Sequence, residues 1–189
     1  KVMHTLPLYK TDAADKLAWP IIENKISLTS SAMSVFTDFK QHMPHVIDAN
    51  APAVKLETIM RQSHVRMMLV VNSDNAFIGI VTAEDVDEQH IVQRIAELET
   101  ARAELQVRDF MQPKTALMSF DFYELAKSSV GDVIETLKDY GQHHCLVLDR
   151  DHHEVRGVIS VSDIARELKA PLNIQNKPTF SGLMQVLAA

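Results

Sequence analysis

Two short stretches carry the residues best suited to chemistry, Gly79-Ile80-Val81-Thr82-Ala83-Glu84-Asp85 and Gly157-Val158-Ile159-Ser160-Val161-Ser162-Asp163. In each, a glycine is followed by a hydroxyl and then, one helical turn later, by a carboxylate. Without a Cβ, Gly79 and Gly157 let another group approach the backbone closely. Thr82 and Ser160 stand where a strand gives way to a helix, among free amides and the positive end of the helix dipole, a setting that favours a phosphate. An ionised carboxylate such as Asp85 or Asp163 only accepts hydrogen bonds, which suits the two hydroxyls of a ribose. The same Thr-x-x-Asp and Ser-x-x-Asp spacing also describes a capping box, in which hydroxyl and carboxylate satisfy the helix's own amides. Both roles stay open for either aspartate.

The elements around these residues occur twice. Residues 32–37 align with 107–112 at an offset of 75, Leu56-Glu57-Thr58-Ile59-Met60 aligns with Val133-Ile134-Glu135-Thr136-Leu137 at 77, and Met68-Leu69-Val70-Val71-Asn72 aligns with Cys145-Leu146-Val147-Leu148-Asp149 at 77. The two glycine motifs align at 78. A drift this small, with the order of the blocks kept, is what short loop insertions produce in a duplicated unit. Each copy reads as a helix with apolar residues at helical spacing (Leu56, Ile59 and Met60; Val130, Val133, Ile134 and Leu137), then two short strands, then a second helix. The first strand pair, Met67 to Val71 and Phe77 to Val81, flanks the turn-rich Asn72-Ser73-Asp74-Asn75. Cys145 to Leu148 and Val155 to Ile159 flank 149–153 in the second copy. Between the copies, Glu88 to Leu105 has no Gly or Pro and reads as one connecting helix with Ile91, Ile95, Leu98 and Leu105 on a single face. The chain thus divides into an N-terminal arm (1–31), a first repeat (32–90), a connecting helix (91–106), a second repeat (107–169) and a C-terminal tail (170–189). The arm and tail, marked by Pro7, Pro20, Pro171 and Pro178, are expected to wrap a core or a neighbouring subunit.

A unit of helix, two strands and helix that ends in Gly-hydrophobic-hydrophobic-Thr/Ser-x-x-Asp, and that occurs twice over about residues 32–169, resembles the cystathionine β-synthase (CBS) domain pair. The resemblance implies an α+β fold, a tandem pair of β-α-β-β-α repeats packed sheet to sheet by pseudo-twofold symmetry, with two clefts between them. It implies a non-catalytic regulatory or sensor module that binds AMP, ADP, ATP or S-adenosylmethionine, often as a homodimer, and that acts on an unidentified protein target. A structural or interaction module with unoccupied clefts is the alternative. By the family's pattern Thr37 and Asp38 lie near the adenine edge of a cleft with Val65, Arg66 and Met67, and Gln142, His143 and His144 are their counterparts in the second copy. Arg66 could meet a phosphate or simply form a surface ion pair. The second copy departs further from the pattern, with Asp121 to Lys127 interrupting its first segment and His143 where Arg66 stands, so the two clefts are not expected to be equivalent.

Composition excludes several classes. With 189 residues, 46% of them hydrophobic, the chain can bury a core. Its 25 Asp+Glu against 19 Lys+Arg, and no basic run, argue against nucleic-acid binding. Apolar runs such as Met67 to Val71 fall far short of a membrane span. The single cysteine, Cys145, precludes an internal disulfide and points to a reducing, cytoplasmic setting; its strand position predicts a small buried hydrophobe rather than a nucleophile. Nine histidines, including His42/His45, His143-His144 and His152-His153, invite a metal reading. Neighbours on a strand point to opposite faces, however, and no metal is expected. Catalysis is not expected, since no phosphate loop, G-x-S-x-G elbow or H-E-x-x-H helix is present.

Overall fold

A computed structural model of the chain describes residues 2–19, 26–167 and 182–183. The first copy contains β1 (Thr37–Asp38), β2 (Val46–Asp48), α1 (Leu56–Gln62), β3 (Met67–Val71), β4 (Phe77–Thr82) and α2 (Glu88–Leu98). The second contains β5 (Gln112–Pro113), β6 (Ser119–Asp121), α3 (Phe122–Leu125), α4 (Val130–Tyr140), β7 (His144–Asp149), β8 (Glu154–Ser160) and α5 (Val161–Glu167).

These strands form two four-stranded sheets, ordered β1-β8-β7-β6 and β2-β3-β4-β5. The leading strand of each copy is therefore lent to the other copy's sheet. β1 runs antiparallel to β8, with Asp38 opposite Gly157, and β5 runs antiparallel to β4, with Pro113 opposite Gly79. The two motif glycines owe their identity to this exchange. A Cβ on Gly157 would run into the Thr37 carbonyl oxygen and the Phe36 ring, and one on Gly79 would run into the Gln112 carbonyl. The group that approaches the backbone so closely is thus the partner copy's leading strand. Antiparallel bridges Ser31↔Ser129 and Pro52↔Gln106 repeat the exchange one step earlier in each lead.

Both faces of each sheet are apolar, as alternation along buried strands requires. Met68, Val70 and Val81 pack with Leu56, Met60 and Ile91 under the first copy's helices. Val147 and Ile159 pack with Val133, Ile134 and Ile164 under the second's. Met67, Leu69, Ile80, Leu146 and Val158 point the other way and form a third cluster that joins sheet to sheet. The α+β tandem pair is thereby realised, the two strand pairs following the expected segments with at most one extra residue at either end.

The connecting helix is shorter than its composition suggests. Asp87 caps the start of α2 by accepting from the His90 amide (2.9 Å), but the helix ends at Leu98, with Glu99 in the left-handed region (φ 49°). Leu105 lies beyond it, 1% exposed in the first core, and its carbonyl accepts from the Ala53 amide (2.9 Å). Reaching that position requires the chain to leave the helix, and tertiary burial outweighs helix propensity. Of the N-terminal arm, Ile26 and Leu28 pack on the second core. Residues 2–19 instead expose Met3, Leu8, Tyr9 and Trp19 and wrap no core. Pro20 and nearly all of the tail, Pro171 and Pro178 included, fall outside the described residues.

Candidate functional site

Helices α1 and α4 aim the segments that follow them into the space between the sheets, and both end in a left-handed residue. Gly141 takes φ 74° after α4, and its equivalent 77 residues earlier, His64, takes φ 56° after α1. The Val65 amide then reaches back to the Met60 carbonyl (3.0 Å), and Gln142 likewise to Leu137 (3.1 Å). This pattern closes a helix and turns the chain sharply into the next strand. It delivers Val65, Arg66 and Met67 to the rim of a cavity of about 360 Å³, near the lower end of the range for small-molecule sites.

Thr37 of the exchanged β1 forms one wall of that cavity, and Ser160 and Asp163 at the β8–α5 junction form another. His144 lines it from β7, and Val65, Arg66 and Met67 complete the set of predicted residues found there. Phe39, His42, Met43, Pro44, His45, His64, Ser162, Arg166 and Glu167 also line it, although only the His42/His45 pair drew notice in the sequence. The 39–45 loop escaped because it has no counterpart motif in the second copy. Arg166 was missed as well, although its place one helical turn after Asp163 is a signal that could have found it.

Asp38 stands outside the cavity. Its carboxylate is held by the Arg156 guanidinium through two bonds of 2.9 Å, and that pairing draws its pKa below the usual carboxylate value. Arg156 in turn lies over the Phe122 ring (4.2 Å). Asp38 therefore clamps β1 to β8. Arg66 is mostly buried and donates to Glu84 (2.8 Å) while lining the cavity. Burial pushes the Glu84 carboxyl up, yet the Arg66 hydrogen bond together with the backbone and charge interactions outweighs it, leaving Glu84 more acidic than an ordinary glutamate.

The two motif aspartates do different things. Asp85 and Thr82 bond reciprocally across the turn after β4, Thr82 N donating to Asp85 Oδ2 (2.8 Å) while Asp85 N donates to Thr82 Oγ1 (3.3 Å). The Gln112 side-chain amide then donates to both Asp85 oxygens (3.0 and 3.3 Å). Gln112 is the counterpart of Thr37, so an amide fills the place where the first lead presents a short hydroxyl. Thr82 and Asp85 do not line this cavity. His143 is likewise absent from the cavity wall. Asp163 shares only half of that arrangement. Its amide donates to Ser160 Oγ (3.0 Å), but its carboxylate meets Arg166 (3.1 Å) on the cavity wall, and Arg166 also donates to the His64 carbonyl (3.3 Å) across the cleft. The two motifs are unequal in this respect: Ser160 and Asp163 line the cavity, and Thr82 and Asp85 do not.

Neither of the other suggestive groups makes a site. Burial pushes the Cys145 thiol up to about 11, which keeps it protonated and inert. Among the described residues no three His, Cys, Asp or Glu side chains converge to hold a metal, and no helix is long and apolar enough to cross a membrane.

Comparison with known proteins agrees with this architecture. The CBS domain profile matches residues 37–89 and 107–170, well over half of the chain. An uncharacterised conserved protein from Pyrococcus horikoshii has a similar structure, with TM-score 0.55 and 15% identity over 78% of this chain and 98% of its own. CBSX2, solved in complex with AMP, is similar at TM-score 0.51 and 15% identity, covering 72% and 94%. The CBS domain pair of MJ0100, solved with 5′-methylthioadenosine and S-adenosyl-L-methionine, is similar at TM-score 0.50 and 15% identity, covering 73% and 94%. No curated protein matches the chain.

Proposed function

Because this chain belongs to the CBS domain family, we propose that it is a regulatory binding module, not an enzyme, that takes one adenine-containing ligand in the cavity carrying Asp163. AMP, ADP, ATP and S-adenosylmethionine are the ligands of this class. One observation carries the reading. Asp163, its carboxylate paired with Arg166, lines a cavity of suitable size together with Thr37, while its equivalent Asp85 bonds Thr82 and Gln112 off that cavity. In this cavity, a ribose would accept Asp163 as its anchor, and the adenine would lie towards Thr37 and the Val65-to-Met67 edge. The AMP and S-adenosyl-L-methionine complexes of the similar CBS proteins support an adenosine ligand as the type. The same proposal includes pairing into a homodimer and an output delivered to a separate protein, because a ligand can bias only those states that it contacts differently.

Isothermal calorimetry with AMP, ADP, ATP and S-adenosylmethionine tests this. Saturable binding at one site per chain is expected for at least one of them. Binding of none at millimolar concentrations would leave an interaction module with empty clefts.

A further inference from the structure

The charge on the cavity wall is unusual in being mostly conditional. His42 and His45 come from the loop after β1, His64 from the turn after α1, and His144 from β7. The fixed charges facing them are Arg66 beside His64, Asp163, Arg166 and Glu167 on α5, and Glu84 paired behind Arg66. With the imidazoles neutral, Arg66 and Arg166 are matched on the wall by Asp163 and Glu167, and the wall carries no net charge to attract an anion. Each proton taken up by an imidazole moves the balance one charge towards positive. Histidine is the side chain whose ordinary pKa places that change near neutrality.

The placement of His64 is a second, independent observation. The equivalent position in the other copy is Gly141, where a left-handed residue is needed and a Cβ would meet nothing within 4 Å. A non-glycine residue in that conformation is strained, by an amount that glycine would remove. The chain nonetheless carries an imidazole there, at the cavity mouth, with the His64 carbonyl bonded to the same Arg166 that holds Asp163.

Resting on the proposed adenosine site, we infer that pH sets which adenosine ligand this cavity prefers, the four histidines on its wall adding positive charge on acidification and so favouring a phosphate over the cationic sulfonium. Phosphate affinity rises as the imidazoles gain protons, whereas a sulfonium is repelled by the same change.

The test is calorimetry on the full chain with adenosine, AMP and S-adenosylmethionine at about pH 8 and about pH 6. Adenosine, which carries no charge, should bind similarly at both. AMP should gain about tenfold relative to adenosine on acidification, as a change of about 1.4 kcal/mol implies, while S-adenosylmethionine loses affinity. Protonation of the AMP phosphate itself lowers its charge, so a gain must come from the protein. His64→Gly should raise the melting temperature and lose part of the AMP gain, and the triple variant His42→Gln/His45→Gln/His64→Gln should lose most of it. An AMP-to-adenosine affinity ratio that is the same at both pH values overturns the inference while leaving the site intact, as does a full gain retained in the triple variant. If adenosine, AMP and S-adenosylmethionine all fail to bind, the site and the inference fall together.

Discussion

Asp85 and Asp163 occupy the same place in a repeated sequence, and only their hydrogen bonds separate them. Replacing Asp85 by alanine removes its hydrogen bonds to Thr82 and Gln112, so thermal melting should show a loss of about 1 kcal/mol while ligand affinity stays as it was. Replacing Asp163 by alanine should do the reverse, weakening AMP binding by about 1–3 kcal/mol in calorimetry with little change in melting. Cys145, its thiol held near 11 by burial, should resist alkylation by iodoacetamide at neutral pH until the chain unfolds; rapid labelling of the native protein would contradict its place in the core. The sequence offered both aspartates with equal standing, since a capping box and a ribose anchor share one spacing. What sets their surroundings apart is residue 112 against residue 37. The repeat alignment already paired Gln112 with Thr37, but the reach of a glutamine amide onto a carboxylate from the other copy depends on strand exchange, which has no local signature.

At the scale of elements, the exchanged leading strands are the weakest links and the most consequential. β1 is two residues long and holds its position through the Asp38–Arg156 clamp and the closeness that Gly157 permits. Gly157→Ala should force β1 away from β8, cost about 1–3 kcal/mol as overpacking does, and abolish ligand binding by displacing Thr37; retained affinity would show that Thr37 is dispensable. Because Arg156 lowers the Asp38 pKa, the clamp's contribution is complete above the ordinary aspartate pKa and is lost as pH falls below about 4. Acid titration of stability should therefore lose one step in that range in Arg156→Ala, and an unchanged profile would place the clamp elsewhere. Periodicity revealed the long strands because their apolar runs are buried on both faces. It could not reveal β1, β5, β2 and β6, which are two or three residues long and defined by pairing alone. The connecting helix misled for a related reason. Its residues favour helix throughout, but Leu105 is demanded by the first core and the chain breaks off at Leu98 to supply it.

Across the whole molecule, duplication supplies two motif aspartates and the side chains around them set the two apart, Gln112 bonding Asp85 while Asp163 lines the cavity. On the proposed reading, a ligand in this cavity would touch β1 of the first copy and α5 of the second together. Such a ligand joins the two copies and can report its presence through their relative arrangement, or through a dimer built on them. The most direct measurement is a calorimetric titration of AMP into the wild-type chain and into the two aspartate variants in parallel. One site per chain is predicted for the wild type and for Asp85→Ala, with binding severely weakened in Asp163→Ala. Two sites per chain, or binding lost in Asp85→Ala and kept in Asp163→Ala, would contradict the account.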